Sequence, residues 1–204
     1  MTKIWLFVAL VTLVTAEMIA LSYADEEKPF APTVVDGATG AIRVPEGYRL
    51  WPTLGTWAHA NTDKTLETDG PGLHEYHVVY TQPETIAHYQ KTGQFPDGAV
   101  LVKELLNAKT MAMTTGPAVG HATTTKGWFV LVRDTKGRYK DSKLWGKGWG
   151  WSLFNADDSV HTVTKNFEIE CVPCHLPAKQ LAPADTVEED TWIYMFGYPV
   201  LQKK

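Results

Sequence analysis

The stretch YTQPETIAHYQKTGQFPDGAVLVKELL, Tyr80–Leu106, decides the fold. Thr81 and Glu84 stand at capping-box spacing, Pro83 sits in the first turn and Gly93 can close the last one. These signals predict a short helix with both ends marked. Phe95–Gly98, FPDG, reads as a turn. Ala99–Leu106, AVLVKELL, reads as a strand apolar on both sides, with Ala99, Leu101, Lys103 and Leu105 on one face and Val100, Val102, Glu104 and Leu106 on the other. A lysine among such neighbours must reach solvent, find a partner or lose its charge.

Strands are expected on both sides of this stretch. Upstream, Tyr48–Trp57 and His74–Thr81 (HEYHVVYT) are aromatic and β-branched, separated by a turn-rich loop, ANTDKTLETDGPG. Downstream come Gly127–Asp134 (GWFVLVRD) and Gly148–Phe154 (GWGWSLF), joined by another turn-rich segment. Residues 155–170 read as polar and partly helical, 177–190 as a loop, and Thr191–Leu201 (TWIYMFGYPVL) as a last strand. About six strands and two short helices predict a mainly β fold: one antiparallel β-sheet domain with a few short helices. Trp128, Trp149 and Trp151 are expected in its core.

The first 24 residues place one lysine before an apolar run and end in a small-x-small site, Ser22-Tyr23-Ala24. This predicts a secretory signal peptide over 1–24, cleaved after Ala24, and a periplasmic protein. Thr12, Thr15 and Glu17 interrupt the run, which argues against a retained anchor. Residues 25–47, rich in Pro, Gly and charge, read as a loose arm before the domain over 48–204. Lys3 and Glu17 are the only charges before Asp25, so the mature chain keeps the formal charge of −4. That balance lacks the basic footprint of a nucleic-acid binder.

Both cysteines of the chain lie in CVPCH, Cys171–His175. Three readings compete. A redox disulfide of thioredoxin type needs a strand before it and a βαβ context. Structural zinc needs four ligands, hence two histidines placed beyond the usual spacing. A c-type haem needs two thiols for thioether bonds and the following histidine as iron ligand, which is the C-x-x-C-H signature. An exported chain with no other cysteine suits this last reading. The sixth iron position then decides function: an electron-transfer cytochrome, one alternative here, would fill it with Met or His. Met111, Met113 and Met195 are available there, as are His59, His74, His77, His88, His121 and His161, and spacing singles out none. A β-rich domain of this size is unlike the small helical cytochromes c, so an open or weakly occupied sixth position is expected.

Taken with CVPCH and the terminal FGYPVL, the Tyr80–Leu106 block resembles the cytochrome P-460 family, over roughly Tyr48–Leu201. The resemblance implies an antiparallel sheet carrying one haem c, often in a homodimer. In the family's enzymes a lysine of the VxVKEL strand is bonded to the haem macrocycle; the matching residue is Lys103. Those enzymes oxidise hydroxylamine to nitric oxide and nitrous oxide and pass electrons to a soluble cytochrome. A related branch, the cytochromes c′-beta, lacks the cross-link and binds nitric oxide and similar gases beneath an apolar cap, for which Phe95 is the candidate here. Two positions depart from the enzymatic pattern. Lys136 stands where a distal glutamate is expected; Asp134, two residues earlier, can replace it if the strand continues that far, and otherwise Asp134–Gly137 is a β-turn. His77 stands in place of an arginine and is the other candidate proton carrier, or a sheet-surface residue.

Overall fold

The computed structural model describes residues 31, 34–61 and 72–202. The signal peptide over 1–24, the start of the arm and the loop over 62–71 lie outside the described residues. Among the described residues no helix is long and apolar enough to cross a membrane. The strands are β1 (Thr53–Asn61), β2 (Gly72–Thr81), β3 (Val100–Met113), β4 (Gly116–Arg133), β5 (Trp145–Gly146) and β6 (Trp149–Asn155). They form one sheet in the order β1-β2-β3-β4-β6-β5, with every neighbouring pair antiparallel. The helices are α1 (Pro83–Thr92), α2 (Phe167–Glu170) and α3 (Val172–Leu181).

Helix α1 starts at Pro83 and ends at Gly93, whose φ of +77° lets its amide bond the Tyr89 carbonyl. The capping box does not form. The cap residue is Gln82, without a side-chain capping bond, and Thr81 instead donates to the Val100 carbonyl, tying the helix entry to β3.

Strand β3 is apolar on both faces because both are covered. Ala99 and Leu101 join a core with Leu54, Val79, Phe95, Trp149 and Trp151. Val100 and Val102 join a second core with Trp128, Val130, Val132 and Phe154. That second core is capped by residues 34–48, so the described part of the arm is not loose. Val34, Val35, Ile42, Val44 and Tyr48 are buried, and Val35 pairs with Ile42. The two charges of VKE part across the sheet. Glu104 is buried on the arm side, ion-paired with Arg49 and accepting from Thr125, while Lys103 faces the other way.

Four expectations change. Tyr48–Leu50 is a 3₁₀ turn, and β1 begins at Thr53. Strands β3 and β4 run past Leu106 as an extended hairpin to Met113 and Gly116; past Asn107 the backbone ladder with β2 ends and β2 holds the hairpin through side-chain bonds, Thr110 with Leu73 and Tyr76 with the Gly120 carbonyl. The hairpin's sequence is polar and threonine-rich because, apart from the buried Ala108, its side chains past Asn107 are exposed or half-buried. The tail over 191–201 is not a strand but successive 3₁₀ turns at Asp190–Trp192, Met195–Gly197 and Pro199–Leu201. Pro199 lacks the N–H a ladder requires. Residues 177–181, expected in a loop, complete α3.

The tail packs against the sheet through side chains. Ile193, Met195, Tyr198 and Leu201 enter the first core, and a Cβ added at Gly197 would overlap the Trp57 ring. Gly197→Ala is therefore expected to cost about 1–3 kcal/mol, the range for overpacking. Urea denaturation compared with wild type measures this.

Candidate functional site

Between the first face of the sheet, α3 and the tail lies a cavity of about 480 Å³. Its size is within the range of sites that hold a small molecule or cofactor. Val79, Leu101, Phe129, Leu131, Trp151 and Ile193 make most of its wall apolar. Against this lining stand Lys103, His59, His77, Glu170, Cys171, Cys174 and His175.

The cysteine motif opens α3. Asn166 caps α2 by accepting from the Glu168 amide, and the chain turns at Cys171 directly into α3. One helical turn thereby brings Cys171, Cys174 and His175 to the same wall. Both thiols are free, Cys171 buried and Cys174 exposed. Burial pushes the Cys171 thiol up to about 11, so it is protonated at neutral pH. Among the described residues no group of three or more His, Cys, Asp and Glu side chains is placed to hold a metal ion, which structural zinc would require.

The His175 ring is oriented by the tail. Its Nδ1 lies 2.7 Å from the Trp192 carbonyl, which can only accept, so Nδ1 carries the proton and Nε2 keeps the lone pair. Burial lowers the imidazole to about 4, holding it neutral and ready to ligate. Trp151 and Tyr194 meet the ring edge-on at 4.9 and 5.5 Å between centroids. The Tyr194 hydroxyl donates to the Cys174 carbonyl, a second tie between tail and motif.

Lys103 extends from β3 with Nζ 4.6 Å from the Phe129 ring centre. Burial depresses its amine, partly offset by Cys174, Glu75 and Cys171. Of the six histidines and three methionines considered for a sixth ligand, only His59 and His77 line the cavity. Met111 and Met113 are exposed on the ribbon, Met195 accepts from the Tyr89 hydroxyl in the core, and His161 pairs with Asp158 at the surface.

Two expected site residues lie elsewhere. The buried Asp134 carboxylate accepts from the amides of Lys136 and Arg138, at 3.1 and 2.6 Å, and from the Arg138 guanidinium at 2.7 Å. It organises a turn and does not reach the cavity wall. Phe95 is packed between Tyr89 and Trp149, at 4.8 and 5.3 Å between centroids, in the core. The phenylalanine on the cavity wall is Phe129. Trp151 is both core and wall, a double role its sequence context does not signal.

The carboxylate near the cavity histidines is Glu75, which bonds His77. It escaped the sequence reading although a signal was present: Glu75 and His77 are two apart in an alternating strand and so share a face. Nothing in the sequence marks its other partner, Lys126 of β4.

The model of the family described as Cytochrome P460 matches residues 45–190. Among curated proteins, none matches this sequence.

Proposed function

We propose a function from one premise: the chain belongs to the cytochrome P460 family and is a haem c cytochrome. The residues on the cavity wall fit one such haem. Cys171 and Cys174 would carry the thioethers, His175 Nε2 would ligate the iron, and Lys103 would bond the macrocycle edge. Bound there, the haem supplies an iron that takes a small nitrogen ligand and accepts its electrons.

The substrate we assign is hydroxylamine, with nitric oxide and nitrous oxide as products. One observation supports this reading above the others: the apolar cavity holds a half-buried imidazole, His77, backed by a carboxylate. A pocket that only bound a diatomic gas would need no such base, whereas oxidation of hydroxylamine must remove protons. Each residue then has a task. Val79, Leu101, Leu131 and Phe129 exclude water, His175 is fixed in tautomer by Trp192, Lys103 tunes the macrocycle, and His77 takes protons. Electrons leave to a soluble cytochrome. The apolar leader and the extracytoplasmic attachment of haem c support a periplasmic setting, and the family resemblance supports a homodimer.

A second reading, a gas-binding protein like the cytochromes c′-beta, draws on the Phe129-bearing apolar wall. The test is direct. Holoprotein given hydroxylamine and a one-electron acceptor is expected to reduce the acceptor and release nitric oxide or nitrous oxide. Tight binding of nitric oxide with no acceptor reduction would replace the enzymatic reading with the gas-binding one.

A further inference from the structure

We propose that Glu75 and His77 form a carboxylate–imidazole dyad, tethered by Lys126, in which His77 is the base for the bound substrate and Glu75 is its positioning residue. The proposal rests on the hydroxylamine reading and names residues that carry its proton chemistry. The expected carboxylate at 134–136 is committed to a turn.

Alternation on β2 puts Glu75 and His77 on the cavity side, where Glu75 lies opposite His59 of β1 and Asn107 of β3, and His77 opposite Trp57 and Leu105. His77 Nε2 is bonded to one Glu75 oxygen and Lys126 Nζ to the other. A carboxylate only accepts, so Nε2 carries the proton and Nδ1 presents its lone pair. The His77 and Glu75 side chains are 14% and 12% exposed, and Lys126 is 54% exposed. The chain of contacts thus runs from cavity wall to solvent.

The charges facing His77 come from each neighbouring strand: His59 from β1, whose ring lies 4.2 Å away centre to centre, Lys103 from β3, and Glu75 on β2 with Lys126 of β4 behind it. Burial lowers His77, the Glu75 bond opposes this, and Lys103 and His59 add to the lowering. Burial works to raise Glu75, but the bonds from Lys126 and His77 outweigh it and hold the carboxylate ionised. His77 is therefore a neutral base beside a fixed anion, the arrangement that orients and supports an imidazole as it gains charge. Oxidation of hydroxylamine to nitric oxide releases protons and electrons in equal number. Each proton passes to His77 Nδ1 and then to solvent, while Nε2–H stays on Glu75. The bound haem would take up the electrons and supply them to the acceptor cytochrome.

The test combines imidazole ¹⁵N spectra of the carbon monoxide-bound ferrous holoprotein with pH profiles of hydroxylamine oxidation. Wild type, Glu75→Gln and Lys126→Met are compared. The Nε2–H tautomer of His77 is expected in wild type. Glu75→Gln removes the anion that favours the imidazolium, so the ascending limb moves to lower pH and kcat falls on the order of 10²-fold, within the contribution of a positioned base. Lys126→Met removes the competing cation, so the limb moves to higher pH. Opposite displacements are not the signature of a merely structural contact. An Nδ1–H tautomer, or a limb that neither substitution moves, overturns the dyad. If the ¹⁵N titrations shift in opposite directions but wild type does not oxidise hydroxylamine, the dyad stands and the functional reading falls.

Discussion

Replacing Lys103 with alanine is expected to return the ferrous Soret band from a strongly red-shifted position to that of an ordinary haem c, and to reduce hydroxylamine oxidation by at least about two orders of magnitude, the scale on which removing one preorganised group acts. The amine lies on the same cavity wall as both thiols, held over Phe129. Burial lowers its basicity, and an uncharged amine is the form that can bond to carbon. Truncation leaves Cys171, Cys174 and His175 untouched, so haem attachment should persist. Absorption spectra of oxidised and dithionite-reduced protein read the cross-link, and acceptor reduction reads turnover. An ordinary haem c spectrum in wild type, unchanged by the substitution, would remove Lys103 from the chemistry and put gas binding ahead.

The second large effect is on stability. Asp190→Ala is expected to destabilise the fold by roughly 3–5 kcal/mol, the range for removing one partner of a buried ion pair. Asp190 is fully buried; its Oδ1 lies 3.1 Å from Arg133 Nε and its Oδ2 accepts from the Phe95 amide at 2.9 Å. The substitution strands the Phe95 N–H and leaves Arg133 with the Gly148 carbonyl and the more distant Glu189. It also loosens the turn that carries Trp192, whose carbonyl orients His175, so the iron that His175 would ligate should be held less tightly. Burial raises the Asp190 carboxyl from 3.8 to about 6, against the Phe95 amide and Arg133. With the folded-state value above the unfolded one, the folded state holds the proton more tightly, and this group's contribution to stability falls as pH rises from about 4 to about 6. Urea titrations across that window check the sign. Asp190→Asn keeps an acceptor for Phe95 and should flatten the slope.

Much of the fold was legible because local rules and burial agreed. Pro83 and Gly93 mark α1 by backbone geometry alone, and the apolar run from Ala99 to Leu106 announces a strand covered on both faces. The tail misled for the opposite reason. Its aromatic, β-branched composition suits a strand, but what TWIYMFGYPVL meets is a core, and Pro199 and the close seat of Gly197 on Trp57 favour turns. Composition reports that a segment is buried, not whether its backbone pairs.

The same division holds at the site. The sequence by itself determined which groups are available for attachment: two thiols and a histidine at C-x-x-C-H spacing, and a lysine sharing a strand face with Ala99, Leu101 and Leu105. Bonding and periodicity act over a few residues, so a linear pattern can carry them. Only the tertiary structure decided which distant groups surround that chemistry. It brings Trp192, 17 residues on, to orient His175 and Lys126, 51 residues on, to hold Glu75; it buries Phe95 away from the cavity and commits Asp134 to a turn. Such contacts depend on how sheet, helix and tail close on one another. Side chains far apart in the chain meet only when that closure sets their distance and excludes water between them.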